Sequence, residues 1–203
     1  MDKDKTDKVE MIILTAQKRF GLYGLEKTSM QEIANDLGLS KASLYYYFPD
    51  KESLYRSVIE KEQAEFIDNI SKKIIKIRDP EMVLTEYITA RLIYFRKLMN
   101  LSRLKHEEYS NFRPLLRDLL DAFREKEKEI LSGIFNSGIE KGIFENINPE
   151  NTAELFLDLL KGLRMSLISR KNMMSLDITE FEQLHSRSLE FTRIFIKGIK
   201  QSK

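Results

Sequence analysis

The chain has 203 residues, of which 42% are hydrophobic, so it can bury a substantial core in one or two domains. It contains no cysteine, which excludes disulfides, thiolate metal sites and a thiol redox switch. Basic and acidic residues nearly balance at a formal net charge of +2, and no uninterrupted apolar stretch is long enough to span a bilayer. Since residues 2–8 are charged and do not form a secretory signal, we expect a soluble cytoplasmic protein.

Helical spacing of apolar residues runs through the whole chain, and no alternation of apolar and polar residues indicates a strand. Pro80, Pro114 and Pro149 each suit the first position of a helix, where the missing N–H would be unpaired anyway. Together with polar capping residues, these signals predict an all-α fold. About nine helices are expected, at residues 7–23, 28–38, 40–48, 50–77, 80–98, 101–110, 114–141, 149–171 and 178–200.

The second and third predicted helices are short, and a tight turn at residues 36–39 joins them. Thr28 is predicted to cap the second helix in a capping box with Gln31, and Ser40 is predicted to cap the third. Gly38 can supply a left-handed turn conformation. Two short helices joined in this way indicate a helix-turn-helix, whose second helix enters the major groove of DNA.

Four consecutive aromatic residues, Tyr45, Tyr46, Tyr47 and Phe48, close the third predicted helix. Neighbouring residues on a helix point about 100° apart, so these four side chains cannot all face one core. At least some of them are expected to meet water or a partner. The alternative is that the tyrosines are core residues of a small helical domain without a DNA role. The slight excess of acidic over basic residues in 1–50 favours that alternative, because phosphate binding dominates affinity for DNA.

A wider set of residues stands at fixed spacing, in the pattern Phe20-x3-Gly24-Leu25-x2-Thr28-Ser29-Met30-x2-Ile33-Ala34-x3-Gly38-Leu39-Ser40-Lys41-Ala42-Ser43-Leu44-Tyr45-Tyr46-Tyr47-Phe48-x2-Lys51-Glu52-x-Leu54. In this stretch, about the first quarter of the chain, the sequence resembles the DNA-binding domain of the TetR (AcrR-like) family of bacterial transcriptional regulators. The resemblance implies a three-helix DNA-binding domain at residues 1–50. It also implies an effector-binding and dimerisation domain at 51–203, whose first helix, about 51–77, is the linker.

The resemblance also implies which residues contact DNA. Lys41 and Ala42 match base-reading positions, and Ala42 stands where the family often has glycine. Tyr47 stands where many members have histidine, and its hydroxyl is still expected to meet a phosphate. The other expected contacts to phosphates or bases are Thr28, Ser29, Ser40, Ser43, Tyr45, Tyr46 and Lys51. Basic residues near the N-terminus are interpreted as a mobile arm that reaches DNA, namely Lys3, Lys5 and Lys8.

The middle of the chain is rich in aromatic residues, and Arg91 stands within a largely apolar helical face. Two interpretations stay open: Arg91 pairs within the fold with a carboxylate such as Glu107 or Glu108, or it meets an acidic ligand. The resemblance implies an effector cavity in this region. We expect a small, largely apolar effector, with an acidic group as one option. The residues expected around it are Tyr87, Arg91, Tyr94, His106, Tyr109 and Phe123.

The last two predicted helices, 149–171 and 178–200, carry more apolar residues than one stripe of each can bury within a monomer. This load predicts a homodimer interface built from two helices of each chain, although part of it must cover the monomer's own core. A dimer also suits DNA binding, because its two recognition helices reach two half-sites of an inverted repeat.

The function expected is a sequence-specific DNA-binding transcriptional regulator, acting as a homodimeric repressor that a ligand releases from an inverted-repeat operator. The alternative is a helical enzyme, or a ligand-binding protein whose helix-turn-helix does not bind DNA. An enzyme, a metal and a cofactor are not expected. The sequence has no metal-ligand spacing, no phosphate-binding glycine loop, and only two isolated histidines, His106 and His185.

Overall fold

The structure, a computed structural model, describes residues 3–102, 113–169 and 176–201. Within these residues it contains eight α-helices and no strand, which confirms the all-α prediction. A short 3₁₀ turn, Arg113–Leu116, precedes the sixth helix. The helices are α1 Lys3–Tyr23, α2 Met30–Asp36, α3 Lys41–Tyr47, α4 Lys51–Ile74, α5 Pro80–Ser102, α6 Arg117–Glu140, α7 Pro149–Ile168 and α8 Ile178–Ile199.

Several boundaries differ from the predicted ones. The helix α5 runs past the expected end at residue 98 to Ser102, and α4 ends at Ile74 instead of near residue 77. Apart from its first two residues, which belong to α5, the helix predicted at 101–110 lies outside the described residues. The interpretation of the N-terminal lysines as a mobile arm is wrong, because they lie in the first turns of α1.

The N-terminal cap of α2 also differs from the prediction. Ser29 is the cap: its hydroxyl accepts a hydrogen bond from the Glu32 amide at 3.3 Å, and the Glu32 carboxylate accepts one from the Ser29 amide at 2.8 Å. The capping box is therefore Ser29–Glu32 and not Thr28–Gln31. Thr28 is buried, and its hydroxyl donates to the carbonyl of Gly24 at 2.8 Å, so it closes the loop between α1 and α2.

The predicted cap at Ser40 is confirmed, and polar side chains also cap α4, α7 and α8. The Ser40 hydroxyl accepts from the Ser43 amide at 3.0 Å at the start of α3, and Asp50 accepts from the Ser53 amide at 2.6 Å at the start of α4. Asn148 and Asp177 cap α7 and α8 in the same way. Between α2 and α3, Gly38 has a φ of +63°, the left-handed conformation that the turn requires. The Gly38 turn and the Ser40 cap together fix the direction in which α3 leaves α2.

Two apolar cores share α4. The first half of α4 buries Leu54 and Val58 against α1–α3, and its second half buries Phe66 and Ile70 against α5–α8. Fully burying a side chain of this size contributes about 1.5–3 kcal/mol, so both cores hold α4 firmly. Leu116, in the turn before α6, is buried with the first core, so a residue from beyond α5 completes the N-terminal unit.

Candidate nucleic-acid interface and buried polar core

The helix α3 is amphipathic over its two turns. Leu44 and the following Phe48 are buried in the N-terminal core, while Lys41, Ala42, Tyr45 and Tyr46 face solvent. Tyr46 is 72% exposed and Tyr45 is 40% exposed. The prediction that the aromatic run cannot all face one core is therefore confirmed, and α3 presents a solvent face of one lysine, one small residue and two tyrosines.

Cations flank the exposed rings of α3. The ammonium of Lys41 lies 5.7 Å from the centre of the Tyr45 ring, and the ammonium of Lys5 on α1 lies 5.3 Å from that of Tyr46. Tyr47 is half-buried and meets Tyr46 edge-to-face at 5.2 Å. Cation–π contacts of this kind hold a positive charge over each exposed ring. The α3 surface thus combines two ammonium groups with two tyrosine hydroxyls although residues 1–50 carry no excess of basic residues.

The serines of α3 are partly occupied by the helix itself. The Ser40 and Ser43 hydroxyls lie 2.8 Å apart, and Ser40 also caps the first turn. Each hydroxyl keeps a lone pair or proton for a further partner, since a serine hydroxyl has one donor and two acceptor positions. Both lie at the exposed N-terminal end of α3, next to Lys41.

Three other residues expected at the DNA surface have structural partners. Thr28 is 2% exposed and its hydroxyl is used by the loop, so it does not face a partner. Lys51 is half-buried, and its ammonium donates to the carbonyl of Leu25 at 3.0 Å, which leaves two of its three donors. Ser29 is exposed, but its hydroxyl donates to Glu32 at 2.8 Å.

Arg19 on α1, which was not predicted to have a role, holds α2 in place. Arg19 makes a two-pronged ion pair with Asp36 at 2.5 and 2.9 Å, and it also reaches Glu32 at 3.3 Å. The contact with Arg19 lowers the pKa of Asp36. The stabilising effect of this pair is therefore present above the ordinary pKa of an aspartate, and it is lost as the pH falls through the lowered value.

The second region of interest lies in the C-terminal core, around Arg91. Glu127 on α6 accepts hydrogen bonds from Arg91 Nε at 2.6 Å, from the Arg91 terminal nitrogen at 3.2 Å, and from the Tyr87 hydroxyl at 2.6 Å. All three side chains are buried. Burial raises the pKa of Tyr87 well above its ordinary value, so the phenol stays protonated and donates. Of the two interpretations of Arg91, pairing within the fold is the one observed.

Among the described residues, Arg91 pairs with a carboxylate that the sequence did not suggest. Glu107 and Glu108 lie outside the described residues, and the observed partner is Glu127 on α6. Glu127 accepts two hydrogen bonds from the guanidinium of Arg91 and neutralises its charge inside the core. The same guanidinium stacks on Phe95, with its carbon 4.5 Å from the ring centre. An acidic ligand would have to displace this ion pair.

Four of the six residues expected around an effector lie together. Tyr87, Tyr94 and Phe123 surround Phe66 of α4, with ring centres 5.0 to 6.3 Å away, and Arg91 adjoins them through Glu127. The remaining expected residues, His106 and Tyr109, lie outside the described residues. The four residues, with Phe66 and Glu127, are called the aromatic core below.

Two polar groups at the edge of the aromatic core are not satisfied. The Tyr94 hydroxyl and the Gln63 side-chain amide nitrogen are buried, and neither makes a well-formed hydrogen bond to any residue in the described ranges. Burial raises the pKa of Tyr94, so its hydroxyl is a neutral donor. Buried polar groups are normally paired, and these two therefore mark a place where a further hydrogen-bonding group would be accommodated.

A buried carboxylate on α4 joins the two cores. Glu62 is 3% exposed and accepts hydrogen bonds from the Gln17 amide of α1 and from the Lys97 ammonium of α5, the latter at 2.7 Å. Nearer the start of α4, Arg56 pairs with Asp118 of α6, and the distances from its guanidinium nitrogens to the carboxylate oxygens are 2.6 and 2.8 Å. Polar contacts thus tie α4 to α1, α5 and α6 at the level where the two cores meet. These contacts could not be predicted from the sequence, because each of them joins a residue of α4 to a residue on another helix.

The apolar residues of α7 and α8 divide into two groups. Some, such as Phe156 and Leu184, are buried in the core of the same chain. Others are exposed, with relative exposures of 40% to 64%: Leu155, Leu159, Ile178 and Ile194. The monomer therefore covers only part of the apolar load of these helices.

The described residues contain neither a membrane-spanning helix nor a metal site. No helix among them is both long and apolar enough to cross a bilayer. The same part of the chain contains no cluster of histidine and carboxylate side chains with the geometry of a metal site.

Comparison with known proteins identifies the family. The family model described as "Bacterial regulatory proteins, tetR family" matches residues 12–58. The crystal structure of a transcriptional regulator from Cytophaga hutchinsonii is 41% identical, has a TM-score of 0.89, and the match covers 96% of this chain and 99% of that one. A TetR transcription regulator from Haloarcula marismortui, at 20% identity, shares the fold with a TM-score of 0.74 over 97% of this chain and all of that one. The HTH-type transcriptional regulator RutR of Escherichia coli K12 is 29% identical over 147 residues, which is 71% of this chain and 68% of RutR.

The buried ion pair gives a prediction for stability. Glu127→Ala is expected to lower the free energy of unfolding by about 3–5 kcal/mol, because the buried charge of Arg91 loses its partner. Replacing both charges, with Arg91→Met and Glu127→Leu together, is expected to restore most of that loss. The measurement is urea unfolding followed by circular dichroism. Glu125→Ala, on the exposed side of α6, is the control and is expected to change stability by less than about 0.5 kcal/mol. Equal stability of Glu127→Ala and the control would contradict the prediction.

Proposed function

Because the chain belongs to the TetR family of bacterial transcriptional regulators, and is therefore a DNA-binding regulator and not an enzyme, we propose that it acts as a homodimeric repressor that a small effector releases from an inverted-repeat operator. The observation that carries this proposal is the solvent face of α3, where cations adjoin two exposed tyrosines at the end of a firmly held helix-turn-helix. Within the proposal, residues 1–50 read DNA, and residues 51–203 bind the effector and dimerise.

The proposed base-reading residues are Lys41 and Ala42, at the exposed start of α3. A lysine ammonium can donate to guanine acceptors in the major groove, and the alanine methyl group lets the helix come close to the bases. Tyr45 and Tyr46, the exposed tyrosines, donate their hydroxyls to phosphates. Tyr47 packs behind Tyr46 and sets the direction of its ring.

The remaining polar residues take lesser parts in this proposal. Ser40 and Ser43 add hydroxyl contacts from the first turn of α3, and Lys51 uses the donors that Leu25 leaves free. Lys5 joins the surface, because it lies over Tyr46. Ser29 stays near the phosphate backbone, whereas Thr28 is assigned to the loop and not to DNA, since its hydroxyl is buried.

The dimer is proposed to form through α7 and α8. The exposed side chains Leu155, Leu159 and Ile194 would be covered by the same two helices of a second chain, giving a four-helix interface. Such an interface has twofold symmetry, as most homodimers do. The two α3 helices would then contact half-sites about 34–36 Å apart, or a multiple of that distance, on one face of the duplex.

The effector is proposed to bind in the aromatic core and to be neutral and largely apolar. Among the described residues Arg91 is already neutralised by Glu127, so an acidic group would gain little from its charge. The unsatisfied Tyr94 hydroxyl and Gln63 amide would both donate to an acceptor oxygen or nitrogen of the effector. Rings such as Phe66 and Phe123 would pack against its apolar part.

Release of DNA would follow from the position of these groups on α4 and α5. Gln63 is next to Glu62, which α1 and α5 hold through Gln17 and Lys97. A molecule between Gln63 and Tyr94 would therefore favour a different placement of α4 relative to α1. In thermodynamic terms the effector binds one arrangement of the two units more tightly, and the population shifts away from the DNA-binding arrangement.

The DNA proposal is tested by a gel shift on the region upstream of the protein's own gene. Lys41→Ala is expected to cost about 1–3 kcal/mol of binding free energy if the ammonium reads a base. Tyr46→Phe is expected to weaken binding similarly on all sequences, because it removes a phosphate contact. Lys72→Ala, an exposed lysine on α4, is the matched control and should leave affinity unchanged. Full binding by the double variant Lys41→Ala and Tyr46→Phe would refute the assignment of α3.

The dimer proposal is tested by light scattering at micromolar concentration. The wild-type chain is expected to have twice its monomer mass. Leu159→Glu combined with Ile194→Glu is expected to give a monomer, because the charges cannot be paired in an apolar interface. Ile93→Glu, at a similarly exposed position on α5, should remain dimeric. A wild-type chain that stays monomeric under these conditions would rule out the interface.

The effector proposal is tested by a thermal-shift screen of small, largely apolar molecules that carry one hydrogen-bond acceptor. A ligand at about 100 times its dissociation constant adds about 2.7 kcal/mol of stability, which is easily measured. Compounds that stabilise the wild type are expected to stabilise Tyr94→Phe less, and to weaken DNA binding in the gel shift. Tyr23→Phe removes an exposed hydroxyl from α1 and serves as the control. Compounds that stabilise both variants equally would argue against the aromatic core as the site.

A further inference from the structure

A separate cleft lies at the far end of α4, away from the helix-turn-helix. It has a volume of about 330 Å³ and is bordered by the last turn of α4, the loop to α5, the first turn of α5 and the middle of α6. This volume is at the lower end of the range of about 300–1,000 Å³ for small-molecule sites. It shares no lining residue with the aromatic core as defined above. Its walls are aliphatic and consist of Ile74, Ile77, Pro80, Val83, Ile130 and Ile134.

Two cations stand among the residues that line this cleft. Arg78 follows the end of α4, and the ammonium of Lys141 donates to the Arg78 carbonyl at 2.7 Å, which brings the two residues together. Within the described ranges neither side chain forms an ion pair with a carboxylate. Glu129 on α6 is the acidic residue of the lining, and Ser137 contributes a hydroxyl. The charged lining therefore has a surplus of one positive charge.

Gly133, an exposed glycine on α6, is one of the residues that line the cleft. A Cβ atom built on Gly133 would have no neighbour within 4 Å, so the space in front of this residue is empty. Glycine is normally less favourable than alanine inside a helix, and no neighbouring atom at this position requires a residue without a side chain. Gly133 thus offers a direct way to fill the cleft with a larger side chain without disturbing a contact.

From these features we propose that the cleft binds an aliphatic monocarboxylate. The isoleucine-rich wall suits a flexible alkyl chain better than a planar ring, because it provides no aromatic face for stacking. Each methylene group that leaves water there strengthens binding. The carboxylate pairs with the Arg78 guanidinium and the Lys141 ammonium, in charge-assisted hydrogen bonds that are stronger than neutral ones. This site is independent of the effector assigned to the aromatic core.

Isothermal titration calorimetry of the full chain with sodium octanoate tests the proposal, with octan-1-ol as the uncharged probe of the same length. Octanoate is expected to bind at one site per chain, and octanol at least about tenfold more weakly, because it lacks the charge-assisted hydrogen bonds. Gly133→Phe is expected to abolish the binding of both. Gly133→Ala adds only a methyl group in open space and should retain it.

Charge variants test the same site without adding volume, in case Gly133→Phe does not fold. Arg78→Gln with Lys141→Met is expected to weaken octanoate binding about tenfold or more while leaving octanol binding unchanged. Glu129→Gln is expected to strengthen octanoate binding by about twofold to fivefold, because it removes a like charge at the surface. Absence of octanoate binding to the wild type would overturn the proposal. So would equal binding of octanol, or octanoate binding that Phe123→Ala removes and Gly133→Phe does not.

Discussion

The buried carboxylate of Glu62 constrains the arrangement of the whole chain. A carboxylate in a low-dielectric environment is costly unless hydrogen bonds and an opposite charge compensate for lost water. Here the compensation comes from two other helices: an amide of α1 and an ammonium of α5. The helix α4 can therefore be buried at this level only while α1 and α5 stay beside it. This requirement sets the distance between the helix-turn-helix and the C-terminal helices.

A second buried carboxylate extends the same arrangement. Glu127 of α6 is held by Arg91, and Glu62 of α4 is held by Lys97; both cations belong to α5. The helix α5 thus supplies the positive charges for buried acids on two neighbouring helices, α4 and α6. Gln63 of α4 and Tyr94 of α5 lie between these two ion pairs, and their buried polar groups make no well-formed hydrogen bond within the described residues. Within the described residues, the region where polar groups are most tightly held thus also contains two buried groups without a well-formed hydrogen bond.

Local features of the fold could be predicted from sequence, whereas contacts between helices could not. The caps at Ser40 and Asp50 follow from short-range hydrogen bonding, and the orientation of the tyrosines follows from the helical repeat. Two overlapping capping pairs at residues 28–32 match the same pattern, and only burial of Thr28 decides between them. The partner of Arg91 lies on another helix, and helical spacing carries no information about which carboxylate approaches it. For the same reason nothing in the sequence marks Glu62 as a buried carboxylate.

The position of Leu116 bears on how such a protein can be divided or recombined. This leucine comes from the turn that precedes α6, yet it is buried among side chains of α1–α4. A fragment that stops at residue 50 would lack both Leu116 and the α4 residues Leu54 and Val58, and its apolar interior would be open to water. The N-terminal unit is thus not a self-sufficient module of the polypeptide. A chimaera that joins this helix-turn-helix to the body of another regulator would need to carry α4 with it and supply a matching side chain in place of Leu116.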